Sequence, residues 1–467
     1  MHVAIVGGGI AGLATAYFLQ QAAREHDQPL SITLIESGPA FGGKITSSHE
    51  SGFVIEGGPD SFLTHKPAAL KLCQELGLED EFVGINQAAR QVFVWSRGRL
   101  RPMPPGVMLS VPTRIGPFLR SSLISWPGKL RMGLEMFIPG RSDPADESLA
   151  HFVRRRLGQE ALDKIAEPMM ASIHAANADR LSIQGAFPHL HALEQNHGSL
   201  IRGMRAQQRS ADPARATVPA FITLRGGLQR LVDRLIERLQ SQRLILNRPV
   251  DSIAFADDQY VIRAAGYPDV QADRLVLATP AYVSAELLRG AEPSLADALA
   301  AIDYVSTATV SLGFRRAEFG HALNGFGFVV PSQERRRLLA CTWTSTKFTQ
   351  RAPDDCVLLR AFIGGADAAP LIAQDDQSLV ALVRAELKAM MGIDAAPVLS
   401  KVFRWPRANP QYEVGHHDRV AAIERQLERR PGLHLAGSAY HGSGIPNCIA
   451  DGRRVAAAIL KQKAEQS

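Results

Sequence analysis

A glycine-rich turn close to the N-terminus constrains the fold of this chain more than any other feature. The apolar run 3–6 has the composition of a buried parallel strand, and the run 13–19 after the turn is typical of a helix. Between them stands the pattern GxGxxG with one further glycine, formed by Gly7, Gly8, Gly9, Ile10, Ala11 and Gly12. Because such a turn brings a helix N-terminus up to a pyrophosphate, the sequence predicts a Rossmann-like dinucleotide site.

The end of the next strand indicates which dinucleotide fits. A second apolar run, 32–35, ends at Glu36, 24 residues beyond Gly12. An acid at this place accepts hydrogen bonds from both ribose hydroxyls of an adenosine and repels a 2′-phosphate. The pattern therefore favours an adenosine dinucleotide other than NADP.

Three further turns favour a flavin over a nicotinamide. The first carries a cation and suits the far side of a pyrophosphate, the second offers backbone amides to a flavin ring, and the third precedes a C-terminal helix. The dipole of that helix stabilises the anion of a reduced flavin. The residues concerned are Gly43 and Lys44, then Gly57, Gly58, Pro59 and Asp60, and finally Gly437, Ile445 and Pro446.

Composition argues against several other classes of protein. The chain has 467 residues, enough for a large two-lobed α/β enzyme, and its net charge of +6 is too diffuse for a nucleic-acid partner. Its four cysteines lie far apart and its 14 histidines form no ligand pattern, so we expect no disulfide framework and no metal. No run approaches a membrane span and no export signal opens the chain, which predicts a cytoplasmic protein.

Nearly the whole chain resembles a known family, the oxygen-dependent porphyrinogen oxidases of haem synthesis within the flavin amine-oxidase superfamily. The glycine turn is common to the superfamily, whereas four later stretches are typical of the porphyrinogen branch: 167–182, 340–348, 410–416 and 436–448. The resemblance implies FAD as cofactor, with contacts from the residues above and from Val250 and Trp405. It also implies that the flavin carries the chemistry, so no side chain is predicted to be catalytic.

The reaction implied is the six-electron oxidation of a porphyrinogen to the porphyrin, with O2 as acceptor and H2O2 as product. Abundant arginine in the middle of the chain favours coproporphyrinogen III, which has four propionates, over protoporphyrinogen IX, which has two. Candidates for an apolar slot that holds the macrocycle are Phe326, Phe328, Trp343 and Phe362. Candidates for pairing with the propionates are Lys347, Arg114 and Arg90, the last expected on the same strand face as Val92.

We expect an α/β fold in three parts. Residues 1–88, 217–300 and 401–467 would form a discontinuous FAD-binding domain, and residues 89–111 and 301–400 a mixed-sheet substrate domain. Residues 112–216 would form a small helical lobe, with polar linkers at 140–144 and 205–217. Mixed basic and apolar residues on that lobe suit either a solvated surface or a peripheral contact with the inner face of a membrane.

Several alternatives stay open at this point. An amine oxidase or a carotenoid-desaturase-type flavoenzyme has the same fold, and so does a non-catalytic binding protein that has lost the flavin. The intact glycine turns argue against the last of these. A monomer and a homodimer are equally compatible with the sequence, and hand-off of the product to a ferrochelatase is a further expectation.

Overall fold

The computed structural model describes residues 1–27, 29–108, 110–143, 145–171, 174–210, 219–365 and 367–466. Its first layer is a five-stranded sheet in which every neighbouring pair is parallel. The strands are largely apolar because both faces of the sheet are covered. In spatial order they are Arg243–Ile245, Ser31–Ile35, His2–Val6, Arg274–Leu277 and Leu433–Leu435. This confirms the predicted Rossmann-like α/β architecture, and it draws strands from three separate parts of the chain.

Two apolar clusters flank this sheet. One face packs against the helices Ile10–Glu25, Pro67–Glu75, Gln229–Arg238 and Ile445–Gln466. The other face packs against the helices Ala281–Leu288, Pro293–Ala300 and His416–Leu427, and against an antiparallel sheet of Ser252–Ala256, Gln259–Arg263 and Val270–Ala272. The helices Ile10–Glu25 and Ile445–Gln466 approach closely, since a Cβ on Gly452 would lie 2.9 Å from the Ala11 carbonyl oxygen.

A second layer is a mixed sheet of seven strands. In spatial order these are Leu399–Pro410, Tyr304–Arg315, Cys356–Gly364, Ala340–Thr342, Gly327–Val329, Val92–Ser96 and Arg99–Pro102. Only the pair Gly327–Val329 and Val92–Ser96 is parallel among them. The helices Thr344–Lys347, Ala369–Ile372 and Asp376–Met391 accompany this sheet. The domain boundary predicted at residue 401 thus falls inside a strand of this sheet.

Smaller strands and turns join the two layers. Phe221–Leu224 pairs with Phe62–Leu63 and with Phe82–Gly84, and Ser47–Glu50 pairs with Phe53–Glu56. Val107–Met108 pairs with Val111–Pro112. The remaining turns of 3₁₀ helix are Glu79–Glu81, Gln87–Ala89, Arg316–Glu318 and Ser332–Glu334.

The helical lobe is organised around a buried ion pair. Glu135 and Arg156 are both 0% exposed, and the carboxylate also accepts hydrogen bonds from the Ser199 hydroxyl (2.7 Å) and the Leu200 N–H (2.8 Å). The lobe contains the helices Ile115–Arg120, Trp126–Gly133, Leu149–Leu157, Gln159–Ala161, Ile183–Ala186, Pro188–His197 and Leu200–Ser210, the 3₁₀ turn Leu134–Phe137 and the π-helix Leu162–Ala171.

Two expectations for this region need correction. Residues 205–210 continue the helix Leu200–Ser210 and are not part of a linker, while 211–217 lie outside the described residues, as do Pro144 and positions 172–173 of the family-typical stretch 167–182. Arg90 does not share a strand face with Val92, because it ends the 3₁₀ turn Gln87–Ala89 with φ −74° and ψ −1° and the strand begins at Val92. Among the described residues, no helix combines the length and apolar composition that crossing a bilayer requires.

Candidate functional site

The N-terminal glycine turn has the shape that a pyrophosphate needs. Gly7 has φ +109°, and a Cβ on Gly12 would lie 2.0 Å from the Gly7 carbonyl oxygen, so neither position accepts a side chain without a backbone shift. Around Gly9 the space is open, since a Cβ there would meet no atom within 4 Å. The helix Ile10–Glu25 has no side-chain cap at Gly9, which leaves its first N–H groups free for an anion.

Glu36 lies beside this turn at the end of the second strand. Its carboxylate accepts hydrogen bonds from the backbone N–H groups of Gly8 and Gly38, each at 2.8 Å. The neighbouring loop between the strands Arg243–Ile245 and Ser252–Ala256 carries the half-buried Val250. The acid is therefore held at the glycine turn, in the place where an adenosine ribose would need it.

The second glycine turn packs directly on the first. The Gly42 N–H donates to the Gly8 carbonyl at 2.8 Å, and Gly43 follows with φ +59°. Lys44 extends its ammonium group to the Ala408 carbonyl of the strand Leu399–Pro410. Burial lowers the pKa of Lys44. The two turns thus form one cradle, with a cation at its edge towards the seven-stranded sheet.

The turn from Gly57 to Asp60 lies between the two layers. The Gly57 N–H donates to the Thr46 carbonyl at 2.8 Å, and the Gly57 carbonyl accepts the Trp405 indole N–H at 2.9 Å. A Cβ on Gly58 would lie 1.9 Å from the Lys44 carbonyl oxygen. The seven-stranded sheet and the segment that follows the second glycine turn therefore both contact this turn, and the glycines allow the close approach.

Asp60 anchors the charged side of that turn. Its carboxylate pairs with the Lys347 ammonium group at 2.9 Å, and both side chains are largely buried. Burial favours the neutral acid, but Lys347 and Arg360 together hold the pKa of Asp60 well below its usual range. Lys347 therefore supports the turn, so its predicted role as a free partner for a propionate is corrected.

The C-terminal turn completes the arrangement. Gly437 has φ +134°, and its N–H donates to the buried Asp451 carboxylate at 2.8 Å. The Tyr412 hydroxyl donates to the Ser438 carbonyl and accepts the Gly442 N–H, both at 2.7 Å. The helix Ile445–Gln466 begins just beyond, has no acid in its first turn, and buries Ile445 and Pro446. Its N-terminus is thus free to face an anion.

The predicted substrate residues divide into two groups. Phe328 and Trp343 are 2% and 0% exposed in the core of the seven-stranded sheet, so their predicted place in the slot is corrected. Phe326 and Phe362 are half-buried, and Arg90 is exposed. The Phe326 N–H donates to the Gln91 carbonyl at 2.7 Å, so its backbone lies against the residue that follows Arg90.

Arg114 is the remaining predicted contact. It is exposed and precedes the helix Ile115–Arg120, in contact with the position of Gly106, where a Cβ would lie 2.7 Å from the Arg114 side chain. No described contact joins it to Arg90, Phe326 or Lys347. The structure therefore places the Phe326 backbone against Gln91, the residue after Arg90, and places Arg114 against Gly106.

Several buried polar residues of the site escaped the sequence analysis. Arg351 pairs with Glu56 at 3.3 Å, and Arg360 donates to the carbonyls of Gly57 and Gly58. Burial raises the pKa of Glu56, while Arg351 lowers it. A charged residue at the centre of an apolar strand, as in CVLLRAFIG at 356–364, could have indicated such a residue. A charge buried in this way needs a partner.

Comparisons with known proteins agree with this geometry. The family model described as flavin containing amine oxidoreductase matches residues 10–460. A protein of Bacillus subtilis named coproporphyrinogen III oxidase is 34% identical, covering 97% of this chain and 96% of its own. A protein of the same name from Propionibacterium freudenreichii is 36% identical, covering 98% of this chain and 90% of its own.

Solved structures of similar fold agree with the sequence comparisons. A candidate protoporphyrinogen oxidase from Exiguobacterium sp. 255-15 superposes with a TM-score of 0.87 at 32% identity, covering 98% of this chain and 99% of its own. A putrescine oxidase shares the fold at a TM-score of 0.70 and 19% identity. The open cradle, the uncapped N-terminus of the helix Ile10–Glu25 and the acid-free first turn of the helix Ile445–Gln466 together fit FAD. The chain belongs to the flavin containing amine oxidoreductase family and is an FAD-dependent oxidoreductase.

Proposed function

We propose that this oxidoreductase converts coproporphyrinogen III to coproporphyrin III, with O2 as electron acceptor and H2O2 as product. The observation that carries the proposal is the nearly full-length similarity, at 34% and 36% identity, to two proteins named coproporphyrinogen III oxidase. Plant relatives named protoporphyrinogen oxidase, such as the chloroplastic protein of Oryza sativa, are similar at 31% identity. Protoporphyrinogen IX is therefore the second substrate to test.

Different residues of this chain bind different parts of the cofactor and the substrate. Bound FAD supplies hydride acceptance from a bridging carbon of the macrocycle. The N-terminal cradle and Glu36 hold the adenosine and pyrophosphate, and the Gly57–Asp60 turn lies where the ring is expected. Half-buried Phe326 and Phe362 offer apolar walls, and Arg90 offers a guanidinium for a propionate. The six-electron oxidation removes three hydrides and three protons from the macrocycle, and the protons pass to solvent.

Porphyrin fluorescence in air tests the proposal. Purified FAD-loaded protein is given coproporphyrinogen III or protoporphyrinogen IX, with a no-enzyme control for autoxidation. Faster appearance of coproporphyrin than of protoporphyrin supports the proposal, and the reverse order reassigns the substrate. Autoxidation rates with both substrates, from protein that carries FAD, would overturn it.

The Arg90 assignment has its own test. Arg90→Ala removes one cation from the proposed propionate site, so we expect KM for coproporphyrinogen III to rise about tenfold with little change in kcat. Arg425→Ala, on the helix His416–Leu427, is a control for the loss of one arginine elsewhere. An unchanged KM would remove Arg90 from the site.

We also propose the three-part domain division given by the sequence, with the strand Leu399–Pro410 assigned to the substrate domain. Its pairing with Tyr304–Arg315 supports this assignment. Limited proteolysis, followed by mass spectrometry, should cleave between the parts before it cleaves within them. Early cleavage inside the five-stranded sheet would contradict the division.

We further propose that the helical lobe rests on an anionic phospholipid surface. Large apolar side chains are exposed on the segment 115–137, and Phe137 and Trp126 reach 74% and 68%; the set is Ile115, Leu119, Trp126, Leu130, Leu134 and Phe137. Arg114 and Arg120 are exposed beside them, and the one acid of the segment, Glu135, is buried. Apolar and basic groups without exposed acids suit an anionic bilayer.

Vesicle flotation tests this surface. The protein should float with phosphatidylglycerol vesicles and not with pure phosphatidylcholine, and the double variant Trp126→Ser/Phe137→Ser should stay with the unbound fraction. Phe255→Ser, which removes a 46% exposed ring elsewhere, serves as the matched control. Equal flotation of the double variant and the control would contradict the proposal.

A further inference from the structure

One carbonyl group in the protein receives three hydrogen bonds from three strands. The Gly57 oxygen accepts the Arg360 guanidinium at 2.9 Å, the Trp405 indole N–H at 2.9 Å and the Thr309 hydroxyl at 3.2 Å. These donors stand on adjacent strands of the seven-stranded sheet: Cys356–Gly364, Leu399–Pro410 and Tyr304–Arg315. A carbonyl oxygen has two lone pairs, so these three donors use the full acceptor capacity of the Gly57 oxygen.

The same peptide unit carries a donor without a partner. Gly57 uses its own N–H on Thr46, and Pro59 has none. The Gly58 N–H, which belongs to the peptide of the Gly57 carbonyl, donates to no acceptor among the described residues. Hydrogen bonds to the oxygen of a peptide polarise it and strengthen its N–H as a donor. The turn therefore presents the Gly58 N–H as a strengthened hydrogen-bond donor.

The charge around the turn is positive. Arg360 is 3% exposed, and its Nε has no hydrogen-bond partner in the described part of the chain. Lys347 and Arg351 are two further cations, and they face two carboxylates, Asp60 and Glu56. Three cations against two acids leave an excess of positive charge in a site where desolvation makes charge costly. An electron-rich ligand would balance it.

We propose that Arg360 is a positioning residue of the flavin site: with Thr309 and Trp405 it fixes and polarises the Gly57–Gly58 peptide, and so raises the two-electron midpoint potential of bound FAD. Donors and positive charge near a flavin ring stabilise its reduced form more than its oxidised form. The inference rests on the FAD site and not on the identity of the substrate.

The test is a graded series of variants, each measured as the midpoint potential of bound FAD by dye-equilibrated reduction without porphyrinogen. Thr309→Val and Trp405→Phe each remove one neutral donor, and Arg360→Gln removes the charged one. We expect a tenfold loss of preference for reduced FAD in Arg360→Gln, a shift of about −30 mV for two electrons. The shifts for Trp405→Phe and Thr309→Val should have the same sign and be smaller, and Arg360→Lys should recover part of the loss.

Arg404→Gln is the matched control. Arg404 neighbours Trp405 on the same strand, but its guanidinium bonds to the Ile372 carbonyl and Asp376, away from the turn. A wild-type potential in Arg360→Gln, or equal shifts in Arg360→Gln and Arg404→Gln, would overturn the inference. If Arg360→Gln does not fold, unchanged potentials in both Thr309→Val and Trp405→Phe overturn it. Porphyrin formation can persist or fail independently of either result.

Discussion

The adenosine end and the ring end of the proposed flavin site are built in opposite ways. At the proposed adenosine end, two glycine turns within the first 44 residues bind each other through the Gly42 N–H and the Gly8 carbonyl. At the ring end, Gly57 is held by Arg360, which lies 303 residues further along the chain. The adenosine end depends on the local backbone conformation of the glycine turns. The ring end depends on packing of the Gly57 turn against the seven-stranded sheet. FAD affinity should depend on the first end and fold stability on the second.

The largest expected effect is on the free energy of unfolding, which should depend on the ring end of the site. Asp60→Asn leaves Lys347 and Arg360 without a facing carboxylate at a buried position. We expect the FAD-free protein to lose about 3 kcal/mol of unfolding free energy, measured by urea unfolding. Asp355→Asn breaks the exposed ion pair with Arg315 and should leave the midpoint unchanged. Equal midpoints for the two variants would show that the ring end has no buried electrostatic network.

A smaller effect should appear in ligand affinity at the other end. Gly9→Ala places a methyl group in space that no protein atom occupies, where the pyrophosphate is expected. We expect a tenfold or greater loss of FAD affinity, about 1.4 kcal/mol, measured by titrating apoprotein with FAD. Gly290→Ala, whose methyl group also meets no atom, is the control. Wild-type affinity in Gly9→Ala would place the pyrophosphate elsewhere.

The last effect depends on pH and concerns His416, which packs on the tyrosine that holds the C-terminal turn. His416 is 0% exposed and stacks on Tyr412 with ring centroids 4.0 Å apart. Burial, assisted by Arg419 and His417, lowers the pKa of His416 to about 4. The unfolded chain, with a pKa near 6.5, therefore binds a proton that the folded protein does not. Stability should fall as pH drops from about 6.5 towards 4, by at most about 1.4 kcal/mol per unit for this residue.

His416→Phe keeps a ring on Tyr412 but cannot take up a proton. Its unfolding free energy should fall less steeply below pH 6.5 than that of the wild type. Some slope will remain because burial also lowers the pKa of His174 to about 4. The measurement is the urea midpoint at several pH values, and parallel slopes for the two proteins would contradict the assignment.

The same contrast explains what the sequence could predict. The glycine turns and Glu36 were readable because strand, turn and helix follow each other within a few residues. Arg360 was not, since its acceptors, the carbonyls of Gly57 and Gly58, come close only when the two sheets pack. Phe328 and Trp343 were assigned to a slot because aromatic residues suit a macrocycle. A short strand does not reveal which of its faces is covered, and here these side chains lie in the same core cluster as the helix Asp376–Met391.

Reduction of bound FAD without oxygen tests the central claim most directly. FAD-loaded protein is titrated with coproporphyrinogen III under anaerobic conditions while visible flavin absorbance and porphyrin fluorescence are recorded together. We expect flavin absorbance to fall as porphyrin appears, in a ratio of three FAD to one porphyrin, and we expect putrescine to leave the flavin oxidised. A flavin that neither coproporphyrinogen III nor protoporphyrinogen IX can reduce would contradict it.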